Sequence, residues 1–394
     1  MESDRQTLTN VGVRFKGVSS LVRAPNGLKR PFKLDFDRNT KGRKFHGIGE
    51  LYLNNNINDA TQLRESLAYE LFRRAGLPAP RTAFVRVTLS IPGRINHQHL
   101  GLYTAVEVVE GDFLRWNFGT KKGLLVKPEK MQGLQYLGED WEGYKDLYHP
   151  KGAVDPVDTR RFIDFVRFIQ EAKPEEFRSK LKDSLDPEKF ARFVALNSIL
   201  AKIDSFIGNG HNYFVYMHPA SHLATFIPWD LNEAFGMHPV SGRSGRQMEF
   251  SILRPDADPN HLIQRFISDR SLGPLYRDQC SWLLTNVFVP ATLSLDIDRI
   301  AAVTKPVVFA ESKRARADFE RTVLRTLKPD FGDTSQPRHD REFKDAGYRP
   351  WGFPDAVEID NMPLKDWIAG RHAHALGQLE GRVRRTPPRP CLAQ

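Results

Sequence analysis

"AKIDSFIGNGHNYFVY" (residues 201–216) and, after a short hydrophilic interval, "ATFIPWDLNEAFG" (224–236) decide how this chain is read. An apolar helical pattern runs into Asp204, Asn212 stands just before a strand pattern, and Asp230 stands just after the next one. Oxygen-bearing side chains in this order can serve a hydroxyl and a divalent cation, or they can simply be turn residues. Asn209, five residues after Asp204, is an alternative to Asn212.

Composition narrows the setting. A chain of 394 residues, 40% apolar and 11% aromatic, is long enough for two or three lobes with real cores. Lys and Arg exceed Asp and Glu by 58 − 48 = 10, which biases the surface toward anionic partners. Only Cys280 and Cys391 are present, which argues against a disulfide framework or a thiolate zinc site. No apolar run reaches membrane-span length and no signal-peptide core stands at the start, so the chain as given reads as soluble. Strand-like alternation begins about ten residues from Met1. That suggests a shortened N-terminus and leaves an exported, surface or coat-associated location open.

The first third reads as a small α+β lobe. "VGVRFKG" and "PFKLDF" alternate apolar and polar residues as half-buried strands do, placing Arg14, Lys16 and Lys33 on one polar face. The Gly- and Ser-rich loop between them contributes Ser19 and Ser20, a setting suited to phosphates. "NDATQLRESLAYELFRRAG" predicts a helix with Asp59 as N-cap and Gly76 as stop. Arg64 lies within its apolar arc and Glu65 at the edge, and a charge so placed needs a partner. From about Asp155 the spacing turns helical, and Asp186 and Pro187 open the helix that delivers Asp204. The expected divisions are a small lobe over 1–110, a larger lobe carrying the Asp and Asn loops over 111–260, its helical extension over 261–385, and a disordered tail over 386–394.

A small sheet-rich lobe, a hinge and a larger, mostly helical lobe form the layout of a kinase-like fold. The chemistry asks for one Asp at the acceptor hydroxyl, an Asn and a second Asp on magnesium, and a Lys from the small lobe on the phosphates. Lys33 is the first candidate for that Lys and Lys29 the second, with Glu65 able to pair with Lys33. Residues Glu107 to Val109 are the expected hinge bordering adenine, through backbone groups. His211 reads as an ordinary loop histidine. The G-x-G-x-x-G, H-R-D, D-F-G and A-P-E motifs of ordinary protein kinases are all absent.

Six blocks, "VGVRFKGVSS", "KRPFKLDFD", "LRESLAYELFRRAGLPAPRT", "GLYTAVEVVEGDFL", "HNYFVY" and "IPWDLNEAFG", resemble the CotH kinase family, named for spore-coat protein H, in order and approximate spacing. The resemblance runs from about residue 11 to about 240, and more loosely over 260–385. It implies an atypical protein kinase that uses ATP and Mg²⁺ or Mn²⁺ and acts on Ser or Thr of protein substrates. Carried over by position, Asp204 matches the family's catalytic Asp, Asn212 its metal-side Asn and Asp230 its metal-binding Asp. Two departures stand out: Asn232 ends the usual W-D-L-D, and "KGVSS" replaces the common "KGNSS". Competing readings are a pseudokinase scaffold in a coat or cell-surface assembly, and a metal-dependent phosphodiesterase or nuclease. The last is disfavoured because no basic patch interleaved with aromatics suggests specific nucleic-acid binding.

Overall fold

The computed structural model describes residues 2–3, 6–17, 27–241, 244–325 and 362–383. Ser19, Ser20 and the 386–394 tail lie outside the described residues. The fold is α+β, with a small antiparallel-sheet lobe followed by a larger, mostly helical one.

The small lobe is built on strands β1 (Gly12–Phe15), β2 (Phe32–Asp35), β3 (Glu50–Asn54), β4 (Thr82–Ile91) and β5 (Ile95–Glu107), in the antiparallel order β1-β2-β3-β5-β4. Alternation separates its faces. Leu34, Phe36, Leu53, Tyr103 and Ala105 form one apolar cluster, while Leu102 and Val106 on the other face join the main core beneath helix α1 (Arg64–Arg74). Lys33 lies opposite Arg14 on one side and Tyr52 on the other.

Helix α1 begins later than a direct Asp59 cap requires. Residues 59–63 turn first, with Gln62 in the left-handed region at φ 56°. Asp59 still serves the helix start by accepting the Arg64 backbone N–H at 2.9 Å. Its carboxylate also pairs with the buried Arg64 guanidinium at 2.5 Å, which gives the charge inside the apolar arc its partner. At the other end Gly76, φ 75°, stops the helix as expected: its N–H reaches Arg73 O and the Leu77 N–H reaches Phe72 O.

After β5, residues 108–110 lead to helix α2 (Gly111–Phe118) and a second sheet. Its strands are β6 (Leu124–Val126), β7 (Pro150–Lys151), β8 (Tyr213–Met217) and β9 (Ala224–Pro228), in the order β9-β8-β6-β7. Helix α3 (Pro156–Glu171) precedes α4 (Pro187–Ile199). Asp186 caps α4 by accepting from the Lys189 N–H at 3.1 Å, and Phe190 and Phe193 pack with Phe206 and Phe226. Through Phe206 that aromatic cluster pins the middle of the loop that follows α4 against the helix and β9. Beyond it come α5 (His261–Ser268), α6 (Leu272–Asn286), α7 (Pro290–Glu311) and α8 (Leu364–Leu379). No single helix among the described residues is long and apolar enough to cross a membrane.

Candidate active site

The loop leaving α4 brings the sequence-predicted polar residues together. The Asn209 amide donates to Asp204 Oδ1 at 2.5 Å, and the Asn212 amide donates to Asp204 Oδ2 at 2.6 Å and to the Asp204 carbonyl at 3.1 Å. Both asparagines therefore grip the same carboxylate, and Asn209 Oδ1 is buried with no hydrogen-bond partner. Gly210, φ 71°, lets the loop pass Met131, whose carbonyl would lie 1.9 Å from any Cβ at that position. The Asn212 carbonyl accepts from the Trp229 N–H at 3.0 Å, which fixes the end of β9 beside the loop. Asp230 follows in the left-handed region at φ 48°, and its N–H donates to the Tyr69 hydroxyl of α1 at 3.0 Å.

The small lobe answers with Lys16 rather than Lys33. Lys16 Nζ donates to Asn54 Oδ1 at 2.6 Å and lies 4.2 Å from the Tyr52 ring centre. The Asn54 amide contacts both Glu65 oxygens at 2.8 Å. Burial lowers the Lys16 ammonium below its ordinary range, opposed by the charges of Asp230 and Glu65. Burial and the neighbouring Asp230 push the Glu65 carboxyl up to about 7. The expected Lys33–Glu65 pair does not form; Lys33 Nζ pairs with Glu50 at 2.7 Å. Register explains the exchange. Arg14, Lys33 and Tyr52 occupy one cross-strand row, whereas Lys16, Pro31 and Asn54 occupy the next, about 7 Å along the strands and over Glu65. Lys29 is not brought to the cleft either, because its ammonium is committed to Glu311 at 2.6 Å.

At the expected hinge, Glu107 is buried and bonded to Arg81, Nη2 to Oε1 at 2.7 Å. Val109 is buried in a cluster with Phe113, Leu125, Phe214 and Ile227. Their side chains are thus committed to structure. His211 lies close enough to Asp204 and Glu129 to feel both charges, yet burial still holds its imidazole below the ordinary value.

Two residues at the site escaped the sequence reading. Lys202 is fully buried, its Nζ 3.6 Å from Asp204 Oδ2 and without a hydrogen-bond partner. A charge inside the apolar run before Asp204 was the available signal, the same signal that flagged Arg64. Burial alone would raise the Asp204 carboxyl, but the Lys202 ammonium and the Asn209 amide hold it below its ordinary value. His238 is buried with Nδ1 2.6 Å from Ser241 Oγ, and burial lowers its imidazole from 6.5 to about 4. Nothing local in the sequence marks it.

The His238 shift has a thermodynamic consequence with a definite sign. The folded chain keeps the imidazole neutral, whereas the unfolded chain takes up a proton once pH falls below 6.5. Its contribution is complete above 6.5 and is lost as pH falls toward 4, about 2 kcal/mol between pH 7 and pH 5. Glu65, raised instead of lowered, acts with the opposite sign over part of this range, so total stability does not isolate the effect. Urea unfolding of wild type and His238→Asn at pH 7, 6 and 5 does. The stability gap between them should narrow toward acid, and parallel curves would exclude a buried neutral imidazole.

As to a metal, Asp230 contributes a carboxylate that accepts no hydrogen bond among the described residues, and Asn209 an unpartnered amide oxygen. No group of three or more His, Cys, Asp or Glu side chains comes together as a metal cage among the described residues. Few carboxylates with amide, water and phosphate oxygens is a donor set that suits Mg²⁺.

Residues 13–323 match the family described as CotH kinase protein. The chain is 21% identical over 284 residues to inner spore coat protein H of Bacillus subtilis (strain 168), covering 71% of this chain and 74% of that protein. Among solved structures it is similar to a chain of the Shewanella oneidensis MR-1 toxin–antitoxin complex of HipA, HipB and operator DNA. That likeness has 13% identity and a TM-score of 0.34, covering 84% of this chain and 59% of that one, too loose to transfer any residue's role.

Proposed function

The chain belongs to the CotH kinase protein family, and on that footing we propose that it is an atypical protein kinase transferring the γ-phosphate of ATP to Ser or Thr of a protein substrate, with Mg²⁺ or Mn²⁺. The observation that carries this reading is the convergence of Asp204, Asn209 and Asn212 on one loop with Asp230 beside it, facing Lys16 and Glu65 from the small lobe.

In this reading Asp204 orients the acceptor hydroxyl and receives its proton. The two asparagine amides hold its carboxylate in one rotamer, and Lys202 keeps it ionised. Asp230 and Asn212, with Asn209 as the alternative amide, would hold the metal, which when bound neutralises charge on the β- and γ-phosphates. Lys16 takes the phosphate role expected of Lys33, since Asn54 ties it to Glu65 on α1. The backbone of Glu107 to Val109 would border the base.

Incubation of the purified chain with labelled ATP and Mg²⁺ or Mn²⁺, followed by phosphoamino-acid analysis, tests the proposal. Phosphoserine or phosphothreonine is the expected product. Failure to turn over ATP in either metal would favour the scaffold reading. The relative's name places that protein in the inner spore coat, and we propose coat association for this chain too; its absence from isolated coat fractions would refute that location.

A further inference from the structure

We infer that α7 is a built-in brace for α1, with Glu311 and Asp296 as positioning residues that hold Glu65 and Tyr69 at the cleft; the kinetic half of this inference rests on the proposed kinase reading.

Among the described residues, helix α1 has no ion pair to the site it serves. Its contacts there are the Asn54 amide on Glu65 and the Asp230 N–H on the Tyr69 hydroxyl. Its ends are held from elsewhere. Just before its first turn, Gln62 Nε2 donates to Glu311 Oε2 at 3.3 Å, and at its last residue Arg74 Nη1 pairs with Asp296 Oδ2 at 2.5 Å. Both acceptors belong to α7. Asp296 and Glu311 stand 15 positions, about 22 Å, apart along α7, a helix with Pro306 in its interior, and α1 is about 16 Å long, so one helix has the reach to serve both ends of the other. Two further ties hold this end: Arg192 Nη1 of α4 donates to the Ala75 carbonyl at 3.3 Å, and the Arg73 guanidinium donates to the Pro80 carbonyl.

The Glu311 seat is built for a carboxylate. Oε1 accepts from Lys29 Nζ at 2.6 Å, and Oε2 also accepts from the Leu102 N–H of β5 at 3.2 Å. Beside it Gly101, φ 99°, leaves the backbone bare: a Cβ there would lie 2.1 Å from Glu311 Oε2. The acid therefore ties together the β1–β2 connection, the approach to α1 and the sheet. A helix that only covered apolar surface would need no such seat at its final residue. Mostly buried, charge-assisted bonds of this kind are the strong ones.

Hydrogen exchange on the intact chain, read by mass spectrometry, compares wild type with Glu311→Ala, Glu311→Gln and Asp296→Asn. ATP kinetics are measured in parallel, at a temperature where circular dichroism shows each variant folded. In Glu311→Ala, peptides covering 62–74 and 100–104 should exchange about tenfold faster while 187–199 is unchanged, and kcat/KM for ATP should fall by about tenfold. Glu311→Gln, which still accepts from Leu102, should fall between. Asp296→Asn tests the other end of α1 should the alanine variant not fold. Unchanged exchange over 62–74 overturns the brace. Faster exchange with unchanged kcat/KM overturns the positioning role. If wild type transfers no phosphate the proposed function falls, and the exchange comparison still decides the brace alone.

Discussion

Asp204→Asn is expected to lower phosphoryl transfer by at least roughly a hundredfold, the range that loss of a general base commonly costs, while nucleotide and metal binding stay nearly intact. The reason is in the hydrogen bonds. Asp204 accepts from Asn209 on one oxygen and from Asn212 on the other, so it is a fixed carboxylate with lone pairs left over to accept a hydroxyl proton. A carboxamide there keeps one acceptor, turns an NH₂ on the other asparagine, and cannot take a proton. Asp230→Asn should fail differently. Among the described residues its carboxylate makes no hydrogen bond to hold the loop, whereas its backbone N–H does so through Tyr69. Its loss should weaken metal-dependent nucleotide affinity together with turnover, and excess Mn²⁺ should restore part of both. Calorimetric titration of ATP with Mg²⁺ against wild type and both variants, alongside turnover, separates the two roles. Equal loss of binding in both would sink the division of labour, and full activity in both would sink the kinase reading.

Local rules carried the sequence a long way where the physics is local. Alternation in "VGVRFKG" and "PFKLDF" located two strands, and Asp186–Pro187 located the start of α4 because a cap and a fixed φ act within one turn. The order helix, Asp, Asn, strand, strand, Asp was enough to place Asp204, Asn212 and Asp230 near one another. What sequence could not decide was which row of a sheet face meets the cleft. Lys16 and Lys33 both lie on the Tyr52 side, and pattern alone treats them alike. Their difference arises from where α1 crosses the sheet, a tertiary fact. Long-range partners were invisible for the same reason: Lys29 and Glu311 are 282 residues apart, and no local signal links them. Lys202 was legible in principle, as a charge within an apolar run, but its partner was not.

The row assignment makes Lys16→Met the most informative change in the small lobe. Lys16 is the cation bonded to Asn54 and sensing both Asp230 and Glu65, so among the described residues it is a small-lobe charge set beside the proposed metal position. Its ammonium is largely out of water, and a buried, pre-oriented cation interacts with phosphate far more strongly than a solvated one. Lys16→Met keeps the length and apolar stem, and it should lower kcat/KM for ATP on the order of a hundredfold, comparable with loss of one pre-organised donor elsewhere. Lys33→Met should change it by no more than about twofold, because the Lys33 ammonium is committed to Glu50 and lies one row away from the Lys16–Asn54–Glu65 path. The fold should survive both: Lys16 leaves Asn54 still bonded to Glu65, and Lys33 leaves the sheet register untouched. The contrast is read from ATP titrations of the two single variants and the double, with thermal unfolding as the control. A large loss in Lys33→Met with Lys16→Met near wild type would mean that the phosphates enter over the Tyr52 row, and the path from Lys16 through Asn54 to Glu65 would then be only a structural tie between sheet and helix.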